Sequence, residues 1–290
     1  VAEQLGVAES DVVFVEPDLV HTIYPDSNGS TGEGQFAVQP DCGERPQSEK
    51  GGKVKGPGQP LPWHLGRLFS ELEAARGEVE FEDPRTRVAH LDTGYDRGHA
   101  SMPKHVLTHL ERNFVEGDAD SGSAQDPDNR LLLLDHSGHG TSTLSVLAGG
   151  SVAAWGHRFM GAAPEAEVLP LRIADSVVLF RTSAFARALA YAVDQRCDVV
   201  TMSMGGLPME TWRQTVDLAY EAGVVVVSAA GNCYRKGVGK LRVTLPTRHV
   251  VYPARYRRVI AVCGAMADGT SYSDLKGGEM EGNFGPDSVM

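Results

Sequence analysis

The chain has 290 residues, 41% of them hydrophobic and 22% charged, proportions that suit a globular protein with one large core or two modest ones. Its formal charge of -11, with no lysine- or arginine-rich run, argues against a nucleic-acid binder, because nothing is there to neutralise phosphates. No window reaches the roughly 18 apolar residues that a membrane-spanning helix needs, and four scattered cysteines do not make a disulfide scaffold.

Val1-Ala2-Glu3-Gln4 carries neither an initiator methionine nor a basic-then-apolar leader, so the chain reads as a processed or excised piece. Residues 1–20 form a small unit in which Asp11 to Glu16 is predicted to be a strand stopped by Pro17. From 21 to 61 Gly, Pro, Ser, Gln and Lys dominate, and the stretch Gly51 to Gly58 cannot sustain a helix or a buried strand; a flexible linker is expected. Leu65, Leu68, Phe69 and Leu72 then recur at helical spacing. Val88-Ala89-His90-Leu91 is predicted to be a short strand ending at Asp92. His139 opens a helical run, Thr141 to Ala148, closed by Gly149-Gly150.

The second half alternates. A strand from Ala166 to Ile173 is followed by a helix face of Phe185, Ala188, Leu189, Ala192 and Val193, then by a strand from Asp198 to Ser203. Trp212, Val216 and Ala219 mark another helix, and Val224 to Ala229 and Val259 to Cys263 are apolar strands. Near-continuous apolar strands alternating with helices predict an α/β fold, a mostly parallel sheet between helix layers. Functional groups of such sheets collect at the carboxyl ends of strands, which is where Asp92, Ser203 and Asn232 fall. Cys197 and Cys263 lie in or beside apolar runs and are expected to be buried.

Three groups in this pattern carry chemistry. Asp92-Thr93-Gly94 places a carboxylate at a strand end, although Asp-x-Gly is also an ordinary turn. His139 sits between Gly138 and Gly140, residues that admit close backbone approach. Asn232, in Ala229-Ala230-Gly231-Asn232, presents an amide able to donate to a developing oxyanion.

Taken together and in order, Val88 to Gly94, His136 to Thr141, Val200 to Gly206, Val226 to Asn232 and Tyr252-Pro253-Ala254-Arg255-Tyr256 resemble the subtilisin family of serine proteases. The resemblance runs from about Pro62 to the C-terminus. It implies a three-layer, subtilisin-like catalytic domain over 62–290 and a serine endopeptidase working through an Asp-His-Ser triad. Asp92 would orient His139, the general base, and Asn232 would donate to the oxyanion. Ser203, Met204 and Gly205 on one side, and Ala229, Ala230 and Gly231 on the other, would bind the substrate peptide. Residues 1–20 resemble the end of the family's inhibitory propeptide, an intramolecular partner, with a maturation cut expected between His21 and Ser30. Secretion is what the resemblance implies for location.

The family's nucleophile stands in Gly-Thr-Ser-x-Ala before a buried helix. The one Gly-Thr-Ser here, Gly269-Thr270-Ser271, is followed by the polar run Tyr272 to Gly278, so the nucleophile is expected beyond Met290. The fragment is accordingly expected to lack the C-terminal serine segment and to be inactive without it. No cofactor is required. Calcium remains open but is not indicated, since Gly150 to Phe159 offers no oxygen-rich ligand set, and Asp118, Asp120, Asp126 and Asp128 read as a solvated loop. Two other readings stand beside this one: a non-catalytic peptide-binding pseudoprotease, and a zinc hydrolase using His90, Asp92, His136 and His139. A cysteine mechanism through Cys233 is weaker, because the resemblance places that residue on a pocket rim.

Overall fold

The computed structural model describes residues 16–18, 20–22, 74, 85–115, 122–126, 138–152, 158–176, 179–238, 241–245, 250–264, 280–282 and 288–289. The helix expected around Leu65 to Leu72, the linker beyond residue 22, His136 and Ser271 lie outside them. In chain order the strands are β1 (Val20–Thr22), β2 (Arg87–Asp92), β3 (Arg112–Asn113), β4 (Ser151–Val152), β5 (Arg158–Phe159), β6 (Glu167–Arg172), β7 (Ala174–Ser176) and β8 (Leu179–Arg181). They continue as β9 (Val199–Met202), β10 (Val225–Ala229), β11 (Asn232–Val238), β12 (Leu241–Leu245), β13 (Val259–Val262), β14 (Met280–Gly282) and β15 (Ser288–Val289). The longer helices are α1 (His139–Ala148), α2 (Thr182–Asp194) and α3 (Glu210–Glu221).

Seven strands form one sheet in the order β15-β13-β10-β9-β2-β6-β3, and every pairing in it is parallel. The order reverses about β2: β6 lies on one side of it and the next sheet strand in the chain, β9, on the other. Such a reversal opens a crevice at the carboxyl ends of the strands, and the last residue of β2 is Asp92.

Alternation within β2 assigns its side chains to two layers. Ala89 and Leu91 join Leu169, Leu171, Val200, Met202 and Val226 in the large core beneath α2 and α3. His90 and Asp92 face the other way, toward α1, where Leu144 and Ala148 pack with Val168 and Tyr95. The large core is anchored by Trp212, which has no exposure, packs its ring 4.9 Å from that of Phe185, and donates its Nε1–H to the Thr182 carbonyl at 3.0 Å. That bond lets a polar aromatic be buried at little cost. Cys197 and Cys263 are buried, as expected from their surroundings. Among the described residues, no helix is long and apolar enough to cross a membrane.

Candidate active site

Asp92 ends β2 and His139 begins α1, both buried, with His139 Nδ1 2.6 Å from Asp92 Oδ1. Two glycines make this approach possible. A Cβ on Gly140 would lie 1.9 Å from the Gly94 carbonyl oxygen, so only glycine lets the first turn of α1 sit on the Asp92-Thr93-Gly94 turn. Gly94 itself has φ +110, the left-handed region that favours glycine. Reciprocal bonds tie the two segments together. The Gly140 N–H donates to Thr93 Oγ1 at 3.2 Å, the Asp96 N–H to Thr141 Oγ1 at 2.9 Å, and the Gly138 N–H to Asp126 Oδ2 at 2.9 Å.

The Asp92 carboxylate is held at both oxygens. Oδ1 accepts from His139 and from the Thr93 N–H at 2.7 Å, while Oδ2 accepts from the Thr143 hydroxyl at 2.9 Å. Burial pushes this carboxyl upward, but the charge and hydrogen bond of His139, the neighbouring His90 and the Thr93 N–H outweigh it and bring it down to about 2. It also lies at the N-terminus of α1, where the helix dipole favours an anion. Because its folded value is below the ordinary 3.8, its contribution to stability is present above that pH and is lost as pH falls toward 2. Thermal denaturation should therefore show wild type and Asp92→Asn converging as pH drops from 5 to 2. A constant gap across that range would remove Asp92 as the source.

Sequence reasoning did not single out Arg172, which is buried at the end of β6. Its Nε–H donates to the Thr93 carbonyl at 3.1 Å and an Nη1–H to Asn113 Oδ1 at 3.1 Å, and the guanidinium also pairs with Asp175. It pins the turn that follows Asp92 from β6, the strand next to β2. The signal was there: one arginine inside the apolar run Val168 to Ile173 is out of pattern. Thr143 was missed too, being one hydroxyl among several in α1.

The remaining candidate residues lie at or beyond the carboxyl ends of β9 and β10. Met202 pairs with Leu91 on one side and Ser228 on the other, so Ser203, just past β9, and Ala229, the last residue of β10, are level with Asp92. Met204 and Gly205 are buried, and Gly205 packs against Val251, which a Cβ there would meet at 2.2 Å. Ala230 has no exposure; its N–H donates to the Val262 carbonyl at 2.8 Å and its carbonyl accepts from the Val251 N–H at 3.1 Å. Gly231 turns the chain at φ +89, and Asn232 follows it at the start of β11, with Cys233 next in the same strand. Among the described residues there is no group of three or more His, Cys, Asp or Glu arranged to hold a metal ion. His90 and Asp92 approach to 3.6 Å, with the Thr143 hydroxyl in contact with both.

A model of the subtilase family matches residues 84–287. The chain belongs to the subtilase family. This subtilase is 32% identical over 182 residues to the major intracellular serine protease of Bacillus subtilis, covering 61% of this chain and 50% of that protein. Over 204 residues it is 30% identical to thermitase of Thermoactinomyces vulgaris, covering 69% of this chain and 63% of that protein. Among solved structures, the epidermin leader peptide processing serine protease of Staphylococcus aureus superposes with a TM-score of 0.52 at 16% identity, over 71% of this chain and 52% of that one. The likeness is one of fold, and it fits the parallel α/β architecture. The chain spans about half to two thirds of the length of these relatives.

Proposed function

We propose that this subtilase is a serine endopeptidase in which Asp92 and His139 are two members of the triad. The 2.6 Å bond between them carries the reading. With Nδ1–H donating to Asp92, His139 Nε2 is the nitrogen that accepts the proton of a serine hydroxyl as its oxygen attacks the substrate carbonyl. The same proton then passes to the departing amine. Asp92, ionised down to about pH 2, keeps the ring in this tautomer and balances the imidazolium. Asn232 donates its side-chain amide to the oxyanion, a role worth about 3 kcal/mol for the corresponding residue of subtilisin. The edges at Ser203-Met204-Gly205 and at Ala229 and Gly231 pair with the substrate backbone, while buried Met204 and Ala230 line its pocket.

The triad needs a serine, and Ser271 lacks the apolar segment that would support one. Fluorophosphonate labelling of the full-length protein, followed by peptide mapping, should modify one serine outside Val1 to Met290. Labelling of Ser271 would reassign the nucleophile.

The N-terminal segment fits the propeptide reading. Glu16 accepts from the N–H groups of Glu210 and Thr211, both at 2.8 Å, and so caps α3. Asp18 accepts from the Ser183 N–H at 2.9 Å and its hydroxyl at 2.7 Å, capping α2, after which β1 pairs antiparallel with β8. Burial raises Glu16, but the hydrogen bonds from Thr211 and Glu210 prevail and lower it. A cap of this kind contributes about 1 kcal/mol. Each of Glu16→Ala and Asp18→Ala should therefore speed cutting of the following 19–30 stretch by an added protease about fivefold. Rates equal to wild type would show that the segment does not depend on these caps.

A further inference from the structure

Behind the Asp92–His139 pair lies a second buried histidine that the triad does not use. His90, two residues before Asp92 on the same face of β2, is 4% exposed, and its Nε2 is 2.8 Å from Thr143 Oγ1. The Thr143 hydroxyl is within reach of three acceptors: Asp92 Oδ2 at 2.9 Å, the Gly140 carbonyl at 3.2 Å and the His139 carbonyl at 3.3 Å. It has one hydrogen to give. His90 Nε2, at 2.8 Å, competes for it only as the Nδ1–H tautomer; the carboxylate is the nearest oxygen and the only charged acceptor, so the hydrogen is assigned there. The 2.8 Å contact with His90 must then be made by the histidine's own N–H, since two lone pairs cannot face each other at that distance.

We propose that His90 is a positioning residue, which donates its Nε2–H to Thr143 and thereby directs the Thr143 hydroxyl onto Asp92 Oδ2. The inference rests on the reading of Asp92 and His139 as the catalytic pair. Burial pushes the His90 imidazole down; Asp92 opposes this and His139 adds to it, leaving the ring neutral at pH 7. A neutral ring makes its tautomer the variable that matters. As the Nε2–H tautomer, His90 completes a line of donors running His90 to Thr143 to Asp92. As the Nδ1–H tautomer it would take the hydroxyl hydrogen for itself, and Asp92 Oδ2 would lose its donor. Asp92 would then be a stronger base and hold more tightly to a proton on His139.

Nitrogen NMR of the full chain labelled with 15N-histidine tests this, with the His90 signals assigned by their loss in His90→Gln. At pH 7 His90 should show a protonated Nε2 and an unprotonated Nδ1. An unprotonated Nε2, or a doubly protonated ring, overturns the proposal on wild type alone, whatever the variants do. In the variants, Thr143→Val and His90→Leu should each raise the His139 imidazole pKa by about one unit. Thr143→Ser and His90→Gln, which keep a hydroxyl and an N–H donor respectively, should stay close to wild type. Identical His139 titrations in all four would equally overturn it. In the active protein the first two should lose about tenfold in kcat with KM unchanged. Failure of the fluorophosphonate experiment would strike the triad reading instead, and would leave the His90 tautomer as measured.

Discussion

Alanine in place of His139 is expected to cut kcat/KM of the full-length protein by about six orders of magnitude while KM moves little. That size is the one known for subtilisin, a member of the same family, rather than one drawn from this geometry. The direction does follow from the geometry. The imidazole is the group bonded to Asp92, and its Nε2 is the proton acceptor that the proposed serine requires. Without it the hydroxyl must lose its proton to water, yet the proposed binding edges at Ser203 to Gly205 and the proposed Asn232 donor stay in place, so affinity should survive. Asp92→Asn should be less severe, on the order of 10⁴, because an amide still fills the space but can turn its NH₂ toward Nδ1 and favour the wrong tautomer. Fluorophosphonate labelling should vanish in parallel with turnover. Steady-state kinetics on a peptide substrate decides the matter: His139→Ala retaining more than about 1% of wild-type kcat would remove this residue as the general base.

Most of the sheet and its helices were readable in the sequence, and the reason is physical. Strands of a parallel sheet leave nearly continuous apolar runs such as Val224 to Val227, although in β10 one face is buried and Val225 on the other is exposed. The helices between them show their inner faces as Trp212, Val216 and Ala219 or Phe185, Ala188 and Leu189. The Asp92 and His139 positions were legible because close backbone approach forces glycine on both sides of the contact. Arg172, His90 and Thr143 were harder, since each acts through partners far away in the chain. Nothing at position 172 announces that its guanidinium reaches Thr93 and Asn113. The pairing of strands β2 and β6, with Asp92 opposite Arg172, is what brings them together. Backbone use was likewise invisible: Ala230 reads as one of three equivalent substrate-facing residues, but its N–H belongs to Val262. Position-to-position bonding of this kind is a property of register, and a single sequence does not print register.

Gly140→Ala tests the claim that close packing, rather than the identity of two side chains, makes the catalytic pair. The new Cβ would sit 1.9 Å from the Gly94 carbonyl oxygen and 3.2 Å from Asp92 Cβ. Gly94 cannot retreat, because its own surroundings are closed by Ala124 and Asp126, which bond to Tyr95 at 3.1 and 3.0 Å. The start of α1 must move instead, and it takes His139 with it. Moving backbone in a packed site costs about 1–3 kcal/mol, and a displacement of about 1 Å costs on the order of 10² in rate. Gly138→Ala is the matched control. Gly138 also has a left-handed φ of +85, so alanine there pays about 1–2 kcal/mol of backbone strain, but a Cβ meets nothing within 4 Å. The two variants should lose comparable thermal stability, whereas only Gly140→Ala should lose most of its kcat and the downfield Nδ1–H proton signal of His139. Equal activities in the two would show that the pair tolerates a shifted helix, and that the 2.6 Å contact does not depend on the glycine beneath it.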